Sequence, residues 1–275
     1  MNNSEFKNDL KSKKYFLLDL DGTLYRGSKL FPYSKKFINE LHNTGRKPIY
    51  LSNNSSRSTA EYLQKLNKIG LNPRPDEIYT SLNATIEYLL DRKFSRIYLM
   101  ATPAVEREFI DAGFKLTSPP QAVVLTFDTT FNYEKFCTAY EYILAGVSLF
   151  ATHPDMLVPT TDGFHPDVGT LLMAFESAIK AAHQADAKSQ SPFKPIIIGK
   201  PFSVIYKQLQ AKLKCAKREM IMIGDRLYTD IKGANDYGIT SALVLSGETD
   251  LKMLKKSKIK PKIVLKDLSQ INLKG

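Results

Sequence analysis

Four segments of the 275-residue chain set acidic, hydroxyl, amide and ammonium groups directly after short apolar runs. Asp19 and Asp21 follow Tyr15-Phe16-Leu17-Leu18. Ser52, Asn53 and Asn54 follow Pro48-Ile49-Tyr50-Leu51, and Gly199-Lys200-Pro201 follows Pro195-Ile196-Ile197-Ile198. Asp225 and Asp230 come after Met220-Ile221-Met222-Ile223. Each run is too short for a helix and reads as a buried strand that ends in a loop. Ligands of open α/β sheets collect outside the carboxyl ends of the strands. If these four strands are neighbours, one mouth gathers several carboxylates, a hydroxyl, amides and an ammonium. Carboxylates crowded this way repel one another unless a cation sits among them. A ligand set made of oxygen alone, with no histidine or thiol, points to Mg²⁺.

Mg²⁺ and Lys200 would together form a positive seat for a phosphoryl group in transfer. Asp19 is then placed to attack phosphorus as the nucleophile. Asp21, two residues on, is placed to protonate the leaving oxygen and later to deprotonate the hydrolytic water. Ser52, Asn53 and Asn54 supply neutral donors to the phosphate oxygens, Asp225 ligates the metal, and Asp230 stands behind it. Taken singly, each segment also has an ordinary reading. Asp-Gly after an apolar run is usually a turn, Lys200 a surface lysine, and Asp230 a charge at a helix start. Asp19 to Thr23 is no EF-hand, because the later ligands and the closing glutamate are missing. Gly199-Lys200 is no Walker loop, because Pro201 stands where Ser or Thr is required. The conjunction, in this order and at strand ends, carries the chemical reading.

The elements that must position these groups alternate along the chain. After the first strand comes an amphipathic helix with Phe37, Ile38 and Leu41 on one face and Gly45 as its stop. Ser58 and Glu61 form a capping-box pattern before a helix that carries Tyr62, Leu63 and Leu66. Strands at 97–100, 122–125 and 148–151 alternate with helices near 103–112, 132–145 and 169–183, and a polar passage covers 186–192. A last series holds the strand 195–198, a helix near 203–213, the strand 220–223, a helix near 229–237 and a strand at 242–245. Such alternation predicts an α/β fold built on a doubly wound parallel sheet. The middle third offers strands with almost no catalytic groups at their ends. It therefore reads as an inserted α/β domain over 81–194, inside a discontinuous catalytic core of 1–80 and 195–275. Tyr133, Phe136 and Tyr140 have the spacing of a helix face and read as core.

Composition bounds the alternatives. With 43% hydrophobic and 24% charged residues, the chain is neither disordered nor fibrous. Its two cysteines match no disulfide framework or zinc spacing, so a reducing, cytoplasmic setting is expected. No stretch has the length and apolarity of a membrane span. A formal charge of +11 raises a different class of function, a basic binder of nucleic acid or a membrane surface. The charge is uneven, however. Residues 251–275 contribute +7 through eight lysines against Asp267 and residues 1–14 contribute +2, leaving +2 over 15–250. Neither a nucleic acid nor a membrane is expected as partner.

The four segments, read together as Phe16-Leu17-Leu18-Asp19-Leu20-Asp21-Gly22-Thr23-Leu24-Tyr25, Ser52-Asn53-Asn54-Ser55, Gly199-Lys200-Pro201 and Gly224-Asp225-Arg226-Leu227-Tyr228-Thr229-Asp230, resemble the ordered motifs of haloacid-dehalogenase-type phosphatases. Closer still is the subgroup of NagD-like, para-nitrophenyl, phosphoglycolate and pyridoxal phosphate phosphatases. That resemblance implies a Rossmann-like core with a large α/β cap between the second and third motifs, an aspartyl-phosphate intermediate and a Mg²⁺ requirement. It also implies metal binding through the backbone carbonyl of Asp21, a small phosphorylated metabolite as partner, and a homodimer as an option, since subgroup members often pair through the cap. Retention of Asp21 favours phosphate-ester hydrolysis over dehalogenation. Sugar phosphates lead among substrates, ahead of nucleoside monophosphates, phosphoglycolate and pyridoxal phosphate. Phe150-Ala151-Thr152-His153-Pro154-Asp155 and Gly163-Phe164-His165-Pro166-Asp167-Val168-Gly169 resemble cap segments that face the substrate, which makes His153 and Asp155 candidates to read the leaving group. Many relatives carry Asn in place of His153 and Pro-Gly in place of Pro166-Asp167. A metal site made of His153, Asp155, His165 and Asp167 is the less regular alternative.

Overall fold

A computed structural model describes residues 3–160, 163–185 and 193–273. The polar passage at 186–192 and Lys274 lie outside the described residues. The chain divides into two compact units. The first comprises Met1–Ser52, Ala60–Tyr79 and Lys200–Gly275, and the second comprises Asn53–Thr59 and Thr80–Gly199.

The first unit is built on a six-stranded sheet. Its order across the sheet is Ile263–Leu265, Thr240–Val244, Met220–Gly224, Tyr15–Leu18, Lys47–Ser52 and Ile78–Thr80. Tyr15–Leu18 lies parallel to Met220–Gly224 on one side and to Lys47–Ser52 on the other. The central strands bury nearly every residue, which is why they read as unbroken apolar runs. From Tyr15–Leu18 the chain builds outward through Lys47–Ser52 to Ile78–Thr80. It returns to the other flank of the same strand with Met220–Gly224 and builds outward again. The strand order therefore reverses between Tyr15–Leu18 and Met220–Gly224, and the crevice at such a switch point is where doubly wound sheets bind ligands. Phe37, Ile38 and Leu41 of the helix Ser34–Asn43 pack on this sheet together with Phe16, Leu18 and Ile221. The helix Asn3–Lys11 adds Phe6 and Leu10 to the same cluster. Among the lysines of the last 25 residues, Lys252, Lys255, Lys256, Lys258, Lys260, Lys262 and Lys266 are all exposed. They surround the edge strand Ile263–Leu265, whose Ile263 and Leu265 are buried.

The second unit has its own five-stranded parallel sheet, ordered Ile196–Ile197, Ser148–Ala151, Ala122–Leu125, Arg96–Met100 and Lys115–Leu116. An antiparallel hairpin, Leu157–Thr160 with Gly163–Pro166, precedes the long helix Val168–Ala185. Two expectations are corrected here. The strand at 195–198 was expected in the core sheet, yet Ile196 and Ile197 pair with Phe150 and Ala151 at the edge of the second sheet. An apolar run reveals that it needs burial, not which sheet supplies it. Tyr133 was expected in the core, but it opens the helix Tyr133–Leu144 and is 80% exposed. Phe136 does face inward and stacks on Phe175 with ring centroids 4.3 Å apart. No described helix is long and apolar enough to cross a membrane.

Phe175 belongs to the second unit's apolar cluster, and the partly buried Phe136 packs against it. Truncation by Phe175→Ala is expected to cost about 3–5 kcal/mol of stability, read as a lowered calorimetric transition. A loss under about 1 kcal/mol would show that the stack is not a structural centre.

Candidate active site

Asp19 directly follows Leu18, and its N–H donates to the carbonyl of Ile223 at 2.9 Å, so the central strand pairing runs one residue beyond the sheet. Asp225 directly follows Gly224 on the adjacent strand. Lys200 lies on the loop ahead of the helix Ser203–Leu213 and is 2% exposed. Its ammonium donates to Asp19 Oδ1 at 2.6 Å, Asp230 Oδ1 at 2.7 Å and the carbonyl of Leu51 at 3.2 Å. Two of these acceptors are carboxylates. Burial opposes the charge on Lys200, but Asp19 and Asp230 outweigh it and hold the ammonium above its ordinary pKa.

The carboxylates are under opposite pressure. Burial first, and then the nearby charges of Asp19 and Asp230, push Asp225 up to about 8. Burial also raises Asp230, to about 6, against the lowering pull of Lys200. Burial and Asp19 shift Asp21 upward too, the direction a general acid needs, although Lys65 and Arg226 oppose it. Oxygens of Asp19, Asp225 and Asp230 lie within 4.8 Å of one another, and these three form the metal-capable cluster found among the described residues. Asp225 Oδ2 accepts from the N–H of Glu248 at 2.6 Å, while its buried Oδ1 has no partner among the described residues. An orphaned carboxylate oxygen in an all-oxygen cluster fits a hard divalent cation.

Glycines make this approach feasible. A Cβ on Gly247 would stand 1.9 Å from Asp225 Oδ2, and one on Gly22, whose φ is +82°, would stand 2.3 Å from the same atom. A Cβ on Gly224 would lie 2.3 Å from Asp230 Oδ2. Asp230 sits in a single π-helical turn, Leu227–Ile231, of the kind frequent at functional sites. That turn brings Asp230 Oδ2 back to accept from the N–H of Arg226 at 3.1 Å.

Residues 16–115 match the family model described as haloacid dehalogenase-like hydrolase, and residues 197–271 match the HAD-hydrolase-like model. A 4-nitrophenylphosphatase from Thermotoga maritima is 34% identical, with a TM-score of 0.87, over 94% of this chain and 96% of its own. The chain belongs to the haloacid dehalogenase-like hydrolases. Within that family it falls in the NagD-like, para-nitrophenyl phosphatase subgroup. An acid sugar phosphatase from Staphylococcus haemolyticus is 29% identical over 94% of this chain and 95% of its own length. A glycerol phosphate phosphatase from Mycobacterium tuberculosis, solved with magnesium, is 25% identical with a TM-score of 0.81, over 95% of this chain and 77% of its own.

The structure of this hydrolase gathers Asp19, Asp225, Asp230 and Lys200 in the first unit, with Asp21 close enough to feel the charge of Asp19. Ser52 ends the neighbouring strand, its Oγ 3.2 Å from the hydroxyl of Tyr62. Asn53 and Asn54 begin the second unit. Asn53 donates to Asp155 Oδ2 at 3.1 Å, and Asn54 Oδ1 accepts from the N–H and hydroxyl of Ser56. His153 is wholly buried between Asp155 and Asp167, which stand at opposite nitrogens of its ring, and His165 is exposed. These four residues do not form the alternative metal site, because the two carboxylates stand at opposite edges of the ring and do not converge on one point. Sequence reasoning passed over the loop Ser246–Thr249, whose Gly247 and Glu248 support Asp225. The available signal was a glycine turn after another strand of the same sheet. It also gave no role to Arg226, which pairs with Glu248 at 3.0 Å and which Asp19 helps to hold charged.

Two outcomes follow from this geometry. Gly247→Ala drives a methyl group into Asp225 and is expected to lower activity by about 10²-fold or more, as read in steady-state phosphate release. Near-normal turnover would show that the loop yields. In chelator-treated protein, folded Asp225 and Asp230 hold protons that the unfolded chain releases above about pH 4. Their contribution to stability is complete below that pH and is lost as pH rises through about 6 and about 8. Tm should therefore fall by roughly 2–5 °C per pH unit between pH 5 and 8, and Mg²⁺ should restore more of it at the alkaline end. A flat or rising profile would contradict the crowded, protonated cluster.

Proposed function

We propose that this hydrolase releases phosphate from small phosphorylated metabolites, with sugar phosphates foremost, through an aspartyl-phosphate on Asp19 and with Mg²⁺ as cofactor. The chain is a phosphoric monoester hydrolase. The observation that carries the mechanism is the buried Lys200 ammonium held between Asp19 Oδ1 and Asp230 Oδ1, beside the orphaned Oδ1 of Asp225.

Lys200 fixes the Asp19 carboxylate in one orientation and leaves Asp19 Oδ2 as the oxygen that attacks phosphorus. As the bond from Asp19 to phosphorus forms, the bond to the ester oxygen breaks. Asp21, whose pKa burial and the charge of Asp19 raise, gives its proton to that leaving oxygen. Asp21 then takes a proton from a water that attacks phosphorus, which cleaves the aspartyl-phosphate and returns Asp19 with inorganic phosphate. Ser52, Asn53 and Asn54 donate to the phosphoryl oxygens, and Asp230 anchors Lys200. Asp19, Asp225 and the main-chain carbonyl of Asp21 would hold Mg²⁺, which when bound supplies positive charge to the phosphoryl oxygens and offsets carboxylate repulsion. Similarity to a relative named acid sugar phosphatase supports the substrate class.

A panel of sugar phosphates, nucleoside monophosphates, phosphoglycolate, pyridoxal phosphate and para-nitrophenyl phosphate tests this reading, assayed with and without Mg²⁺. Asp19→Asn is expected to abolish release from every ester, and Lys200→Ala to reduce kcat by about 10²–10³-fold. Release that survives Asp19→Asn would overturn the mechanism, and a preference for nucleotides would overturn the sugar assignment.

A further inference from the structure

His153 is 0% exposed, and neither of its ring nitrogens has a hydrogen-bond partner among the described residues. Nδ1 faces Asp155 Oδ2 at 3.5 Å, and on the opposite edge Nε2 faces Asp167 Oδ1 at 3.6 Å. Asp155 lies just ahead of the hairpin strand Leu157–Thr160, and Asp167 just after Gly163–Pro166. The two feet of this hairpin are tied together by the backbone, since Asp167 N–H donates to Met156 at 2.9 Å and Gly169 N–H to Asp155 at 2.8 Å. Gly169 fits there because a Cβ would lie 2.3 Å from the carbonyl of Pro154. Asp167 Oδ1 also accepts from the N–H of Val168 at 2.7 Å, which fixes it at the start of the helix Val168–Ala185. The ring therefore rests on one anchored carboxylate and presses on a second. That second carboxylate has a further contact, because the oxygen nearest the ring, Asp155 Oδ2, is the one that accepts from Asn53 Nδ2 at 3.1 Å.

We infer that His153 is a positioning residue that sets Asp155 so that its Oδ2 orients the Asn53 side chain, directly after Ser52 in the chain. This rests on the phosphate-binding role proposed for Asn53. Burial keeps the ring itself from contacting substrate, and its action runs through Asp155. Apolar filling of the same space would leave Asp155 Oδ2 without its lateral partner and free to rotate off Asn53.

The test reads Asn53 directly. In ¹⁵N-labelled protein without substrate, the side-chain amide signal that disappears in Asn53→Ala is expected to shift in Asp155→Asn and also in His153→Gln. Against para-nitrophenyl phosphate with Mg²⁺, each of these two substitutions should lower kcat/KM about tenfold, and the double variant should lose no more than the worse single one. If His153→Gln does not fold, Asp167→Asn removes the other support of the ring and should move the same signal. An Asn53 signal that stays in place in the folded His153 or Asp167 variant overturns the inference, as do losses that multiply in the double variant. The amide signal needs no turnover. A chain that hydrolyses no ester therefore defeats the phosphatase reading, while the placement of Asn53 is still decided.

Discussion

Repulsion among crowded, largely buried carboxylates is the constraint on which the catalytic end of the first unit depends. Oxygens of Asp19, Asp225 and Asp230 approach within 4.8 Å, where two full charges oppose each other by about 3 kcal/mol at an effective dielectric of ~20. Three groups cannot all be ionised there without compensation. Lys200 answers two of them, and Asp225 is left with one oxygen bound by Glu248 N–H and one that calls for a proton or a cation. The features that make the metal-free site costly are the ones that make it selective for a doubly charged ion and a phosphoryl group.

The surrounding architecture can be read as the means of sustaining that crowding. The sheet reverses its order between the strands that deliver Asp19 and Asp225, so these two side chains leave adjacent strand ends into one crevice. Glycines at 22, 224 and 247 clear the volume the carboxylates occupy. The π-helical turn at Leu227–Ile231 rotates Asp230 back beneath Lys200. In the second unit a related logic operates without a lysine. A buried imidazole lies between Asp155 and Asp167, and the arrangement reaches outward to Asn53. In both places a buried nitrogen-bearing side chain sets the direction of carboxylates whose other contacts are backbone N–H groups or amides.

Much of the site was legible before folding. Apolar runs that end in Asp19, Ser52 and Asp225 announce strand ends, because a strand buried on both faces has no polar interior positions. The helix Ser34–Asn43 and its stop at Gly45 follow from spacing and from a positive φ of +70°. Other parts were not legible. The run at 195–198 satisfied the rule for a buried strand but joined the second sheet, because sheet membership is a matter of long-range pairing. Tyr133 had helical spacing yet lies exposed at a helix start. The loop around Gly247 acts on Asp225 through a backbone N–H and through the space a glycine leaves, so its support appears only when two strand ends are set side by side.

The sequence by itself determined the chemical inventory: two aspartates around one turn, a hydroxyl and amides at a second strand end, a lysine beside a proline, and two further aspartates, with the +11 charge concentrated towards the termini. Residue type and local spacing suffice for that, since they decide what can donate, accept or carry charge. The tertiary structure decided which of these groups share charge. Lys200 lies 181 residues from Asp19 and 30 from Asp230 in the chain, yet one ammonium bonds both. It also corrected His153 from a candidate to read the leaving group to a wholly buried ring between two carboxylates. Electrostatic coupling of this kind depends on distance and burial, and both are properties of the packed chain.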